Sequence, residues 1–488
     1  MSVKPYQLQI LLKKNSSYLL LLTLVSFIIC NTFLIANERY WGVLIPLLLA
    51  VITLALIRLE TLLTAVAFFT PLSTSLKELG VYNPIGVEMA LPTEPLLFGL
   101  MIVAWVKMIS DKALFKGLYA HPISISISAY LFWLLFTSIS SSMPLVSLKL
   151  LATRLWFISS FYVLAYAWFQ KKSNVHRFVK AYLAGLSLVA LYSIVKHSAK
   201  GFEHEVAHWV MSPFFKDHTS YGMALALLLP FSYYLTKFSA NKAIKLVYTF
   251  VFVLLIIALI LSYTIAAWLS CVLALCVYII IKLRIRFSLF LSFFIFLTSF
   301  VLIFQTDILM VLEKNSQDSS DSFLEHIESM SNVTTDASNL ERINRWKSAI
   351  RLFEERPHLG WGPGTYQFHY APYQNYYDKT VISTNAGDMG NAHSEYLSAL
   401  SETGWPGLFV FLLFLITVFF NAIVLYPKLE DKQEKWMLMS CILGLVTYFS
   451  HALLNNFLDM DKASVPVWAF IALIVVLDLN HKNKEIEV

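Results

Sequence analysis

A histidine and a glutamate stand two residues apart, at His393 and Glu395, shortly before the apolar run FVFLLFLITVFF. A neutral histidine can take a proton from a hydroxyl group near neutral pH, so this segment is a candidate for acid–base chemistry. The alternative is an ordinary helix start, in which Asn391 or Ser394 caps the helix and Glu395 lies favourably in its first turn. On these residues alone, the helix start is the more common explanation.

Arginines precede this segment on a predicted amphipathic helix over residues 341–355. Its apolar side chains recur at three- and four-residue steps, which predicts a helix lying against the membrane or against other helices: Ile343, Trp346, Ile350 and Phe353. Arg342 falls on the flank of that apolar face and Arg345 lies farther round, so Arg342 is the arginine best placed to face inward. The alternative for Arg342 is a side chain that snorkels to lipid phosphates.

The composition indicates that these residues are positioned by membrane-spanning helices. Hydrophobic residues make up 58% of the 488 residues and charged residues 14%, and the mean hydropathy is +0.65. A soluble domain carries about 25% charged residues, and the apolar runs of about 17 to 22 residues each suffice to cross roughly 30 Å of hydrocarbon. We therefore predict an all-α, polytopic helical membrane protein with about 12–14 transmembrane helices. The predicted spans are roughly 17–36, 41–57, 61–76, 94–108, 122–141, 150–169, 178–197, 220–236, 244–262, 264–282, 287–304, 405–425, 437–454 and 463–479.

The lysines and arginines indicate an orientation. If the N-terminus is cytoplasmic, the inner connections include the basic segments KMISDKALFK, QKKSNVHR, TKFSANKAIK, KLRIR and YPKLEDKQEK, as the positive-inside rule requires. Both termini are then cytoplasmic, and a large outer loop spans about residues 305–404, before the last three helices. The expected organisation is helices over 1–304, the loop over 305–404 and helices over 405–488.

Several other functions are disfavoured by composition. The cysteines lie inside apolar runs, where they act as small buried hydrophobes rather than as a disulfide framework: Cys30, Cys271, Cys276 and Cys441. No basic stretch interleaved with aromatics suggests a nucleic-acid partner. The acidic pair at Asp459 and Asp461 could hold a metal ion, but two carboxylates alone rarely make a site, so we expect no metal and no other cofactor.

Four short motifs carry a family resemblance. R-x-x-x-W begins at Arg342, P-x-x-G-x-G begins at Pro357, and NAHSEYL and ETG follow over residues 391–397 and 402–404. In this order and spacing they resemble the O-antigen ligase and O-antigen polymerase superfamily. That resemblance implies a helical glycosyltransferase of the bacterial inner membrane. Such enzymes transfer a glycan from undecaprenyl diphosphate to an acceptor hydroxyl at the periplasmic face, without a nucleotide sugar or a required metal.

The resemblance also implies roles for particular positions. The family's loop histidine falls on His393 and its loop arginine on Arg342, which makes these two the expected catalytic residues. The segment SYTIAAWLS departs from the family pattern, because Ile265 stands where an arginine is usual. That arginine is thought to hold the diphosphate, so the departure raises the question of which cation has taken over and how active the enzyme is.

The implied chemistry suits these residue types. A departing diphosphate needs its negative charge stabilised, and arginine does this through permanently charged, bidentate contacts, while a neutral histidine accepts the proton of the attacking hydroxyl. A single displacement of this kind inverts the anomeric carbon. Further candidates for contacts to the diphosphate or the glycan are Arg154, Lys149, His218, Arg345 and Trp361.

The sequence leaves alternatives open for the function. The expected partners are the lipid-linked glycan donor, membrane lipids and an acceptor such as lipid A-core, which would make the protein an O-antigen ligase. A polysaccharide polymerase and a protein O-oligosaccharyltransferase would carry the same motifs. A transporter for lipid-linked sugars is the alternative from another class, although transporters generally need ionisable residues near the bilayer midplane, where these spans have almost none.

Overall fold

The computed structural model describes residues 24–37, 42, 44–76, 78–80, 89–284, 337–380, 383 and 390–487. The predicted helix at 287–304, the first part of the predicted helix at 17–36 and the predicted loop segment 305–336 lie outside the described residues. The chain divides into two compact units, residues 1–63 and residues 64–488.

The described residues are almost entirely helical. The first unit contains α1 (Leu24–Ala36) and α2 (Leu44–Ile57), and α3 (Leu59–Phe69) follows. The second unit contains α4 (Thr93–Ser110), α5 (Lys112–Ala120), α6 (Pro122–Ile139), α7 (Pro144–Phe169), α8 (Lys172–Ser198), α9 (His218–Lys237), α10 (Lys242–Leu261), α11 (Ile265–Lys282), α12 (Ala337–Glu355), α13 (Glu395–Lys428), α14 (Lys432–His451) and α15 (Asp461–Glu487). Two-residue strands β1 (Thr74–Ser75) and β2 (Ala90–Leu91) pair antiparallel.

The all-α, polytopic prediction is confirmed. Eight of the described helices are long and apolar enough to cross a membrane: α4, α6, α7, α8, α10, α11, α13 and α15. Their bounds follow the predicted spans closely, because unbroken runs of leucine, isoleucine, valine and phenylalanine favour a helix in hydrocarbon. The total of about 12–14 stays a prediction.

Polar side chains mark where many of these helices begin. Asp217, Asn241 and Asp431 accept hydrogen bonds from backbone N–H groups in the first turns of α9, α10 and α14, with N···O distances of 2.7 to 3.0 Å. Such caps satisfy donors that a helix otherwise leaves unpaired at its N-terminus. The connecting segments therefore enter these helices at defined residues.

Helix α15 lies at the centre of the second unit. Within its apolar stretch, 89% of the residues are buried, and it packs against α7 and α14. Helix α9 packs against α10 and α14, and α13 packs against α6 and α12. Helix α7 contains a π-helical segment, Ser159–Leu164, a feature that often lies near functional sites. Arg154 lies in the turn before it.

Helix α13 is interrupted at Gly404, whose φ of +71° is not helical, so a helical segment from Glu395 precedes the predicted span that starts at 405.

One local prediction was wrong. On α12, the predicted apolar face is not the buried one, since Ile350 is 42% exposed. The fully buried residues on α12 are largely polar or small: Asn344, Arg345, Ser348, Ala349 and Leu352. Loop residues 366–374 supply hydrogen bonds to that face, so polar groups can be buried there.

Candidate active site

His393 is fixed by its own backbone. Its φ of +49° lies in the left-handed region, which residues other than glycine rarely adopt and which recurs at functional sites. Its N–H donates to Asn391 Oδ1 at 3.0 Å, and its carbonyl accepts from Trp346 Nε1 at 3.3 Å. Ser394 caps α13, as predicted, by accepting from the N–H of Leu397 at 3.4 Å. The imidazole therefore projects from a segment tied to both α12 and α13.

Asn455 holds the ring of His393. Its side chain hydrogen-bonds that ring, and its Nδ2 lies 3.0 Å from Nε2 of His451. Asn455 and His451 are 3% and 1% exposed. With its amide nitrogen donating to His451, Asn455 presents its amide oxygen to His393, so the facing ring nitrogen of His393 carries the hydrogen. The other ring nitrogen then has a lone pair that can accept a proton.

Positive charge surrounds this imidazole. Burial and, after it, the guanidinium groups of Arg345 and Arg342 lower the pKa of His393 to about 4, against smaller opposing effects of Asn455 and Asp217. The charge of Arg342 also acts on His218 and His451. His393, Arg342 and His218, three residues singled out from the sequence, therefore lie around one region of the molecule.

Two histidines from the loop before α9 lie next to His218. Nδ1 of His208 lies 3.1 Å from Nδ1 of His218, with ring centroids 4.2 Å apart, and the ring of His204 lies 5.4 Å from that of His208. Burial and the neighbouring His208 lower the pKa of His218 to about 4. The ring of His218 is therefore a neutral hydrogen-bonding group at neutral pH, and an entering anion would favour its protonation.

The position of Ile265 lies beside this histidine group. Ile265 is the first residue of α11 and is half-buried. The hydroxyl of Thr264 donates to the carbonyl oxygen of His218 at 2.8 Å. Thr264 can approach α9 this closely because Gly222 faces it, and a Cβ at Gly222 would come within 2.8 Å of the threonine side chain. The histidine group thus lies beside the position at which the resemblance leads us to expect an arginine.

Arg154 lies in a separate buried network. It is 5% exposed, and its Nη2 lies 2.8 Å from Asp459 Oδ1 and 3.8 Å from Glu395 Oε2. Its Nε and Nη1 are buried without a hydrogen-bond partner among the described residues. Glu395 also accepts from Tyr448 Oη at 3.1 Å and from the Leu458 N–H at 2.7 Å. Glu395 therefore engages Arg154 and the segment before α15.

Two other predicted cations are placed differently from Arg342. Arg345 is buried, where its Nε donates to Glu341 Oε1 at 2.8 Å and its Nη1 to the carbonyl oxygen of Asn391 at 3.2 Å. That pairing ties α12 to the segment that carries His393. Lys149 is exposed on α7, one helical turn and a residue before Arg154.

Trp361 lies where the GWGPG turn meets the ETG motif. Its N–H donates to the carbonyl oxygen of Ser401 at 3.2 Å, and its Nε1 donates to that of Leu352 at 2.9 Å. Glu402 accepts from the N–H groups of Gly364 and Tyr366 at 2.9 and 3.1 Å. A Cβ at Gly360 would lie 2.3 Å from the Glu402 backbone, so this glycine permits the contact. The two motifs together attach the loop to α13.

The acidic pair does not form one site. Asp459 contacts Arg154, whereas Asp461 accepts from Ser73 Oγ at 2.6 Å and also from Thr93 and lies near the Lys462 ammonium. Within the described residues, no three histidine, cysteine, aspartate or glutamate side chains converge as metal ligands.

Some residues of the site were not among the sequence candidates. Asn455 and His451 are four residues apart in the sequence, but nothing in the sequence pairs them with His393. His208 and His204 belong to the histidine-rich loop GFEHEVAHWV, so that loop's composition was the available signal. Asn391, which supports the turn at His393, precedes it within the NAHSEYL motif.

The chain matches a known family over its central part. The model of the O-antigen ligase family matches residues 250–412, from α10 into α13. The match includes Ile265, Arg342, Trp361 and His393, and it excludes the positions of Arg154 and His218. No curated protein matches the chain significantly. The segment that carries the loop motifs is therefore similar to the O-antigen ligase family, and the described helices are those of a polytopic membrane protein.

Proposed function

We propose that this protein is a membrane glycosyltransferase of the bacterial inner membrane. It transfers a glycan from undecaprenyl diphosphate to an acceptor hydroxyl at the periplasmic face, and in the form we favour it is an O-antigen ligase that attaches O-antigen to lipid A-core. The observation that carries the proposal is His393. One ring nitrogen is held by Asn455, and the charge of Arg342 acts on the imidazole, within the segment that matches the family.

In this mechanism His393 is the general base. The acceptor oxygen attacks the anomeric carbon, its proton passes to the free ring nitrogen of His393, and the bond to the phosphate oxygen breaks with its electron pair on the diphosphate. No covalent enzyme intermediate forms, so the anomeric configuration inverts. A base needs a pKa matched to the operating pH, and burial and two arginines hold that of His393 at about 4 in the free protein. A bound diphosphate would offset the arginine charges and raise the pKa.

Arg342 stabilises the leaving group in this proposal. Its guanidinium remains charged throughout and suits a phosphate geometrically. Because Ile265 offers no charge, we assign the second contact to His218, supported by His208, whose Nδ1 lies 3.1 Å away. Arg154, Lys149, Arg345 and Trp361 remain proposals for contacts to the donor, and Arg154 would have to exchange its contact with Asp459 for a phosphate oxygen. The reaction as proposed requires no metal ion.

The test is transfer by the full-length protein in lipid nanodiscs, supplied with undecaprenyl-diphosphate-linked O-antigen and lipid A-core, with EDTA present. We expect glycosylated lipid A-core and released undecaprenyl diphosphate. His393→Ala should lower the rate about 10²- to 10⁴-fold without abolishing donor binding, because loss of a general base typically costs that much. His176→Ala, whose ring bonds Tyr234 away from this site, is the matched control.

Other results would redirect the proposal. More than about a tenth of the rate in His393→Ala would indicate a structural turn residue rather than a base. Extension of the lipid-linked glycan without lipid A-core would identify a polymerase, and glycosylation of an added protein would identify an O-oligosaccharyltransferase. Passage of intact lipid-linked glycan across the bilayer without any transfer product would identify a transporter.

A further inference from the structure

Helix α5 lies at the membrane boundary. It connects α4, which ends at Ser110, to α6, which begins at Pro122, and both neighbours are long and apolar enough to span the membrane. We expect a short, partly apolar helix between the ends of two such spans to lie at headgroup depth. One face of α5 is docked, since Phe115 and Leu118 are buried and the ring of Phe115 lies 6.4 Å from that of Tyr166.

The opposite face of α5 lines an open groove of about 460 Å³. Met108, from the end of α4, and Ala113 form part of its wall, and Lys112, Lys116 and Tyr119 supply the polar groups. Lys112 and Lys116 are one helical turn apart, so their ammonium groups project in the same direction. Among the residues that the structure describes, neither ammonium forms an ion pair.

Helix α4, which contributes Met108 to the groove, also carries an exposed apolar stripe. Ile102, Val106 and Ile109 recur at four- and three-residue steps on α4 and are 48%, 59% and 73% exposed. In a span, such a stripe faces the acyl chains of the bilayer. Tyr119, at the other side of the groove, is of the amphipathic type enriched at membrane interfaces. The groove therefore has positive charge, and the neighbouring helix α4 presents an apolar surface to the bilayer.

We propose that this groove binds the phosphate headgroup of an anionic phospholipid, with an acyl chain along the stripe on α4. The lysines provide the charge complementarity, and the volume lies within the range of small-molecule sites. The proposal is independent of the glycosyltransferase function, because α5 does not contribute to the site around His393.

The test uses full-length protein in mixed micelles with phosphatidylglycerol or phosphatidylcholine, and native mass spectrometry counts retained lipids. Phosphatidylglycerol should be retained preferentially. Lys112→Gln with Lys116→Gln should weaken its retention about 30-fold, since each lysine near an anionic surface contributes about fivefold. Lys112→Arg with Lys116→Arg should retain it, and Lys242→Gln with Lys245→Gln, which removes the same charge from the start of α10, should have no effect at the groove.

Three outcomes would overturn the proposal. They are equal retention of the two lipids by the wild-type protein, unchanged retention by the doubly glutamine-substituted protein, and displacement of phosphatidylglycerol by millimolar inorganic phosphate, which would mean that the groove takes free phosphate. A photoactivatable phosphatidylglycerol provides a readout that needs no variant. Its crosslinks should fall within residues 102–119, and crosslinks confined to other segments would place the lipid elsewhere.

Discussion

Asn455→Leu tests whether the His393 base is oriented by a neutral amide. Leucine has the same branched heavy-atom skeleton as asparagine but lacks the amide that bonds the His393 ring and lies 3.0 Å from His451 Nε2. Two buried polar groups lose their partner, and each such loss costs about 1–3 kcal/mol. If about 1.5–3 kcal/mol of this appears in the transition state, kcat falls about 10- to 150-fold while KM for the donor changes little.

Asn455→Asp is the conservative partner of that substitution. One carboxylate oxygen can accept from His393 as the amide oxygen does. The other carboxylate oxygen would face Nε2 of His451, and Nε2 can then carry a hydrogen and donate it to that oxygen. His451 loses no hydrogen bond by this change, because its Nδ1 has no partner within the described residues. We expect most of the rate to return and the pH–rate profile to move upward, since a neighbouring negative charge raises the pKa of an imidazole.

The assay is steady-state transfer measured across pH for both variants, alone and combined with His393→Ala. If Asn455 acts only through His393, Asn455→Leu should leave the residual rate of His393→Ala nearly unchanged. An equal loss in both backgrounds would refute an orienting role. Unfolding measurements on Asn455→Leu separate a loss of folded protein from a loss of rate.

Four further expectations follow from the structure. In the free protein the pKa of His393 is about 4, against 6.5 for an ordinary histidine, so kcat/KM should stay constant down to about pH 5. An inflection near pH 6.5 would contradict the burial of His393. Because the pKa is lower in the folded than in the unfolded protein, this histidine also makes the free energy of unfolding fall as the pH drops from about 6.5 to about 4. Ile265→Arg should raise transfer and tighten donor binding roughly 10- to 150-fold, and no change would place the phosphate site elsewhere. Arg154→Ala should destabilise the protein by about 3 kcal/mol, as measured by thermal unfolding in detergent. This is the low end for a broken buried ion pair, because Asp459 is partly exposed. A variant as stable as the wild-type protein would rule out the pairing of Arg154 with Asp459. In a background without native cysteines, a cysteine at Tyr377 should react with an impermeant reagent from outside intact spheroplasts and one at Lys432 only after lysis, and the reverse pattern would invert the topology.

Hydropathy alone was sufficient for the fold class. The bounds of α6, α8, α10 and α11 agree closely with the predicted spans, because in hydrocarbon the backbone must satisfy its own hydrogen bonds and an apolar run of sufficient length has few other options. The cap at Ser394 was predictable for a similar reason, since a hydroxyl before a helix bonds groups only three residues away. The sequence was therefore sufficient wherever the interaction joins residues that are close together in the chain.

The buried face of α12 was not predictable in this way. Periodicity identified residues that share a face, but it did not reveal that the polar face bearing Asn344 and Arg345 would find partners in Glu341, Gln374 and Asn391. A polar face is buried when another segment satisfies its hydrogen bonds. That depends on which segment packs there.

The residues of the candidate site were also predictable only in part. His393 and Arg342 were identified from short motifs in the sequence by itself, together with the all-α membrane class and the order of the helices. Only the tertiary structure brought Asn455 to the His393 ring, the histidine pair His208 and His218 to the neighbourhood of Arg342, and Asp459 to Arg154. The physical reason is that residue type determines what a side chain can do, whereas its pKa and its partners arise from burial and from charges on helices that are distant in sequence.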